Sequence, residues 1–291
     1  MAEEPGREIP YKVAQTDAEK AIVNRDNTVR NCPVCNNGDL SRIHQIGRYA
    51  GLNRVFCDTC GAVYFALPLP ATLFYGPQYN RFLWNPEDMI AAIKFAKQIL
   101  ELCQMFTGQL KGLEIGPGSG FTLQALSLWG LDFEGIEIDK AWAKELMYKM
   151  NIQVFSGGFL NFIPAYRYNL ICGSHVIEHF EDAHAFWIKL NSLLKIHGLV
   201  ILTAPDLDQS NNFHPQWYHF RTRHPWEHAC LYGYRTLEFA AHVHGFQLIK
   251  FERLYEGNNW LAILCKKISI TQKGAELDRT EDSPPFKLSS M

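Results

Sequence analysis

The sequence predicts an α/β fold: seven strands in a mainly parallel sheet covered by helices on both faces, with a small cysteine-rich module ahead of it. Three observations carry this expectation. From Gly112 onward, short apolar runs alternate with segments whose apolar residues recur every three or four positions, the order expected of strand–helix–strand units. Two C-x-x-C pairs stand before that alternating region. Near the end, "GFQLIKFERLYEGNNWLAILCKKI" reads as two strands joined by a Gly-Asn turn, an antiparallel hairpin closing the sheet.

At 291 residues the chain has room for one domain of about 150–200 residues and a smaller module. With 20% charged residues and a net charge of −2, it carries no overall basic field for nucleic acid. No window approaches 18 uncharged apolar residues, so no membrane insertion is expected. The acidic opening "MAEEPGREIP" lacks the apolar core of a signal peptide, which points to a cytoplasmic protein acting on a small molecule. Oligomeric state is not readable from these features.

Taken in order, residues 1–29 are polar and without apolar period, a flexible arm. Residues 30–67 hold "CPVC" (Cys32, Cys35) and "CDTC" (Cys57, Cys60), with 21 residues between the pairs. A two-residue gap lets both thiolates of a pair grip one ion, and two pairs complete a tetrahedral four-sulfur zinc site with no open position for water, hence a structural one. Cys103, Cys172, Cys230 and Cys265 lie among apolar residues and read as buried thiols. Residues 68–85 form a linker rich in proline and aromatics, where Tyr75 and Tyr79 serve either packing or a pocket. From Pro86, after an N-cap at Asn85, "PEDMIAAIKFAKQILELCQMF" has the period of an amphipathic helix. It opens a domain over 86–268.

Within that domain the strands are "GLEIG", "DFEGIEI", "IQVF", "YNLICGS", "LVILTAP" and the two of the hairpin. The helices are "FTLQALSLWG", "KAWAKELMYKM" and "HAFWIKLNSLLKI". Residues 206–233 interrupt the alternation as an insert, a candidate lid over the acceptor, and 269–291 are too poor in apolar residues to pack.

The first strand breaks into "GPGSG". In an open parallel sheet this strand-to-helix turn is where a nucleotide usually lies. The dinucleotide fingerprint would place a third glycine at 121, where the chain has Phe121. What stands there is an acid, Glu114, followed by evenly alternating Gly116, Gly118 and Gly120, which resembles motif I of the class I S-adenosylmethionine-dependent methyltransferases. "GIEID", "YNLICGSHVIEHFED" and "LLKIHGLVILTAPD" follow in the family's order, so the resemblance spans about residues 30–265. The four-cysteine module with its proline- and tyrosine-rich linker is similar to the zinc-containing members, sugar C-methyltransferases among them.

The resemblance implies a seven-stranded Rossmann-like sheet and S-adenosylmethionine as cofactor. It places Glu137 on both ribose hydroxyls and adds Ile138 and Ser174 to the cofactor site, while Asp139 reads as a helix cap. The family's adenine-binding Asp after the third strand is replaced by Gly157 and Gly158, so backbone at Gly158 and the ring of Phe159 are the expected neighbours of the adenine.

Methyl transfer from a sulfonium needs an aligned acceptor and, for most acceptors, a base. His175, Glu178 and His179 stand at the end of the fourth strand with i, i+3 and i+4 spacing, which puts all three on one face if the segment turns helical. Histidine suits base chemistry at neutral pH. Ten of the eleven histidines fall between 175 and 244. The insert supplies His214, Tyr218, His219, His224, Glu227 and His228, with Tyr218, His219, Glu227 and His228 as the next base candidates.

Glu178, His179 and Asp182 could alternatively bind a metal, and any of these histidines could be a cap or a structural group. Arg221, Arg223 and Arg235 are phosphate ligands, as a nucleotide-linked sugar would need, or solvated charges. Three functions stay open: C-methylation of such a sugar, O- or N-methylation of another metabolite, and cofactor binding without turnover beside a zinc-ribbon docking module.

Overall fold

The computed structural model describes residues 30–49, 52–66, 86–208, 228–254 and 259–268. The arm, the linker with Asn85, Tyr75 and Tyr79, the Gly-Asn turn, the tail, and the insert positions His214, Tyr218, His219, Arg221, Arg223, His224 and Glu227 lie outside them.

Four-cysteine region: β1 (Ile43–Tyr49), β2 (Leu52–Cys57) and β3 (Val63–Phe65) form an antiparallel ribbon. Then come helix α1 (Pro86–Cys103), strand β4 (Gly112–Ile115), α2 (Phe121–Leu128), β5 (Phe133–Glu137), α3 (Lys140–Met150), β6 (Val154–Ser156) and β7 (Tyr168–Ser174). The chain continues through α4 (Ala183–Leu193), β8 (Leu194–Pro205), β9 (Cys230–Leu231), α5 (Tyr234–Val243), β10 (Phe246–Leu254) and β11 (Asn259–Lys266).

The large sheet has the order β10-β11-β8-β7-β4-β5-β6. Its five central and outer strands from β8 to β6 run parallel, and β11 and β10 join antiparallel as the expected hairpin. This is the seven-stranded, Rossmann-like α/β sheet that the sequence predicts.

The strand period of two divides the core between the faces. Leu170, Cys172, Leu199 and Ile201 join Phe95 and Ile99 of α1, Leu123 of α2 and Trp142 and Leu146 of α3 on one side. Ile171, Val200 and Leu202 join Phe186, Trp187 and Leu190 of α4 and Leu237 and Ala240 of α5 on the other. Trp187 is fully buried there, and truncating it to alanine removes about 3–5 kcal/mol.

Beyond helix α5, which is not among the helices expected from the sequence, two features depart from the expectation. The helix expected through Ile196 ends at Leu193, where Leu194 turns extended at φ −89°, ψ 144°. Lys266 of β11 donates to the carbonyls of Asn191, which also accepts the Leu194 N–H, and Leu194 at 2.7 and 2.9 Å and so stabilises the helix end from another strand. Burial lowers its ammonium to about 8. The second departure is that the ribbon is completed by β9, from beyond the insert, which pairs Val63↔Leu231 and Tyr64↔Cys230. The cysteine region therefore shares its sheet, and the core of the α4/α5 face, with the larger domain.

Candidate active site

The carboxyl ends of β4, β5 and β7 gather most of the singled-out residues. After β4 the backbone turns through Gly116, Gly118 and Gly120 at φ 61°, 51° and 79°, all left-handed. A side chain costs about 1–2 kcal/mol in such a conformation. Space forbids one as well: a Cβ at Gly116 would stand 2.8 Å from Val176 Cγ1, and one at Gly120 2.7 Å from Leu146 Cδ2. Trp142 on α3 donates its indole N–H to the Gly118 carbonyl at 2.5 Å and pins the turn. All three glycines are thus favoured by backbone conformation, and Gly116 and Gly120 also by crowding behind the turn.

Two acids flank it. Glu114, 2% exposed, lies in β4, and burial pushes its carboxyl up to about 8. Its Oε2 has no hydrogen-bond partner among the described residues. Glu137 ends β5 at 5% exposure, and burial lifts it to about 7, although its Oε1 accepts the Asp139 backbone N–H at 3.0 Å. Asp139 is the expected cap, accepting from the N–H groups of Ala141 and Trp142 at 2.9 and 3.2 Å.

Ile138 is 44% exposed beside them. After β6, Gly157 takes φ 149°, and a Cβ on it or on Gly158 would meet nothing within 4 Å, so neighbouring atoms do not crowd the backbone there. Phe159 is not open to an adenine ring: it is 5% exposed and packs on Phe180 and Phe186 at ring distances of 5.8 and 5.3 Å.

At the end of β7, Ser174 and Thr203 of β8 share a hydrogen bond at 2.9 Å. His175 sits at φ 53°, left-handed for a residue with a side chain, and its N–H donates to the Thr203 carbonyl at 2.9 Å. Only Ile177–His179 then form a single tight turn, so the three residues meet by this kink and not along one helical face. His175 Nδ1 lies 3.2 Å and His179 Nε2 4.0 Å from Glu178 Oε1. Burial pushes the Glu178 carboxyl up, yet the hydrogen bond to His175 and the neighbouring His179 and His228 hold it down near about 2. His228 arrives from the far side of the insert, its ring 5.0 Å from that of His179.

The cysteine region sets His228. Its backbone carbonyl accepts from Arg54 at 3.2 Å, and the fully buried Arg54 lies 3.5 Å over the Phe65 ring. Nothing in the local sequence around Arg54 signals this, and Thr203 was likewise invisible as the support of His175. Asp182, weighed above as a metal ligand, instead caps α4 by accepting the Ala185 N–H at 2.8 Å. Arg235 donates to the Asp58 carbonyl and ties α5 to the ribbon.

All four sulfur atoms of Cys32, Cys35, Cys57 and Cys60 lie within 4.8 Å of one another, with Cys32–Cys60 at 3.5 Å and Cys35–Cys57 at 3.6 Å. A tetrahedron with metal–sulfur bonds of about 2.3 Å has edges of about 3.8 Å, so the cluster fits an ion of zinc size and softness.

A family model described as a methyltransferase domain matches residues 78–250. Among solved structures, an S-adenosylmethionine-dependent methyltransferase from Clostridium acetobutylicum is 10% identical over 66% of this chain and 100% of its own, at TM-score 0.51. A complex of a methyltransferase activator with a protein assigned as a methyltransferase, from Haloferax volcanii, matches at 11% identity over 66% and 95%, TM-score 0.52. A protein assigned as an O-methyltransferase from Nostoc punctiforme matches at 18% over 65% and 61%, TM-score 0.51. These likenesses concern the fold. A search of curated proteins found no match.

Proposed function

The chain belongs to the methyltransferase-domain family as an S-adenosylmethionine-dependent enzyme, and from that premise we propose that it methylates a small-molecule acceptor with His175 as the base. The observation that carries this reading is the buried Glu137 carboxylate beside three left-handed glycines. A carboxylate accepts two hydroxyl donors at once, which suits a ribose diol.

The rest of the cleft fits the same cofactor. Glu114 keeps a buried oxygen without a partner beside the turn, and the uncrowded backbone at Gly157 and Gly158 leaves room for a flat ring. Ile138 offers an apolar edge. When bound, the cofactor supplies an electrophilic methyl group for in-line displacement. His175, anchored through Nδ1 to Glu178, retains Nε2 to accept the acceptor's proton. Its side chain is 43% exposed and so open to a substrate.

The four cysteines hold a structural zinc that fixes the ribbon, and through Arg54 and β9 fixes His228. A nucleotide-linked sugar methylated at carbon is the narrower proposal for the acceptor, and it rests on the module's similarity to that of sugar C-methyltransferases. Metabolite profiling of a deletion strain tests it. Accumulation of a nucleotide-linked sugar one methyl lighter than the normal product supports the narrower reading, and accumulation of an unrelated O- or N-acceptor replaces it.

A further inference from the structure

Behind His175 lies a cluster that proton removal does not by itself require. Glu178, His179 and His228 each offer one ligand atom, and these atoms lie within 4.8 Å of one another. Glu178 is 1% exposed and His228 9%. Glu178 Oε1 is engaged by His175, whereas Oε2 is buried without a hydrogen-bond partner among the described residues. A fully buried carboxylate oxygen left in this state is unfavourable unless a cation answers it. The charged partners shown for this carboxylate are histidines, which answer it as cations only when protonated and otherwise present ring lone pairs to a metal.

The donor set narrows the ligand. Two imidazole nitrogens and one carboxylate oxygen suit a borderline divalent ion of the first transition row, while all-oxygen sites suit magnesium and calcium and thiolate sites suit softer ions. The two rings stand at 71°, edge to face. Around a bound ion the donor atoms would approach to about 3 Å, closer than the 4.0 Å between His179 Nε2 and Glu178 Oε1. We propose that the Glu178 carboxylate, His179 and His228 form a second metal site, separate from the four cysteines, for an ion of the manganese, iron(II) or zinc class.

Three protein ligands leave coordination positions open for oxygen atoms of a substrate. A carboxylate has two oxygens, so Glu178 can keep its contact with His175 Nδ1 while it holds an ion, and the site is compatible with His175 as base. His179 then serves as a ligand. The third ligand is held by the ribbon through Arg54 and the β3–β9 pairing.

The probe is Mn²⁺ alone, added to the full chain brought to one zinc per molecule, so that the cysteine site is filled and the second site empty, and without cofactor or acceptor, so that failure here leaves the methyl-transfer reading untouched. The expected result is one bound Mn²⁺ whose pulsed electron paramagnetic resonance spectrum carries nitrogen modulation from imidazole. His228→Ala and His179→Ala, each checked for a native thermal transition, should weaken binding at least roughly tenfold, as loss of a ligand does. Glu137→Ala should leave it unchanged. A wild-type spectrum indistinguishable from aqueous Mn²⁺ at millimolar metal, or affinity equal in the wild type and both histidine variants, would overturn the site and leave a hydrogen-bonded cluster in its place.

Discussion

The glycine turn and the histidine cluster lie at the ends of neighbouring strands, yet they are built in opposite ways. Glu114 to Gly120 is contiguous, its shape set by three left-handed glycines and by Val176 and Leu146 crowding behind them. The histidine cluster is assembled from separate stretches: the kink after β7, the β9 strand beyond the insert, and Arg54 of the ribbon. A locally encoded half should survive distant changes, whereas an assembled half should fail when any contributor is lost. The predictions probe that contrast.

The largest effect is expected from Cys57→Ser combined with Cys60→Ser. Structural zinc sites stabilise small domains by about 10 kcal/mol or more, comparable with the whole stability of a domain. Elemental analysis should show loss of one zinc per chain, and turnover should vanish as β3 releases β9 and His228. If the glycine half is independent, S-adenosylmethionine should still bind within about threefold of wild type, by the additivity expected of distant sites. Unchanged metal content would remove the zinc assignment.

His175→Ala comes next. General base catalysis is worth about 10²–10⁴-fold, so the single-turnover rate should fall by about 3–5 kcal/mol in barrier while cofactor affinity holds. A normal rate would move the base to His179, and a normal rate in His179→Ala as well would move it to Tyr218, His219, Glu227 or His228 of the insert. Gly120→Ala attacks the other half. Left-handed strain of about 1–2 kcal/mol adds to overpacking against Leu146 of about 1–3 kcal/mol, so stability should drop by about 2–5 kcal/mol in thermal or denaturant unfolding.

The smallest effect is on pH dependence. Burial raises Glu114 to about 8 and Glu137 to about 7, above the ordinary carboxylate range near 4.3. Between those limits the folded protein holds more protons than the unfolded chain, so these groups make stability fall as pH rises. Their contribution is fully present below about 4.3 and lost through about 8. In the cofactor-free protein, Glu114→Gln should flatten the fall in melting temperature between pH 5 and 8. An identical slope in wild type and variant would reject the assignment.

The same contrast explains what the sequence revealed. C-x-x-C pairs, the glycine turn, Glu137 and the Asp139 cap are local chemistry, and strand alternation was enough for the seven-stranded sheet. Residues acting across the fold left no local mark: Lys266 closing α4, Arg54 holding His228, and β9 completing the ribbon. Asp182 looked like a ligand because an acid near histidines and an N-cap acid look alike in sequence. Phe159 is a similar case, since an aromatic residue after a strand gives no sign of whether it faces a slot or, as here, Phe180 and Phe186.

Calorimetry of S-adenosylmethionine binding to the wild type and to Glu137→Ala bears most directly on the reading of the cleft. Two hydrogen bonds to a charged acceptor are worth about 1.5–3 kcal/mol each, with part recovered by water, so the variant should lose about 2–4 kcal/mol. Wild-type affinity should also rise with pH through about 7, as Glu137 becomes the carboxylate that accepts the ribose hydroxyls. Equal affinity in both proteins, or a wild type that binds NAD more tightly than S-adenosylmethionine, would contradict the account.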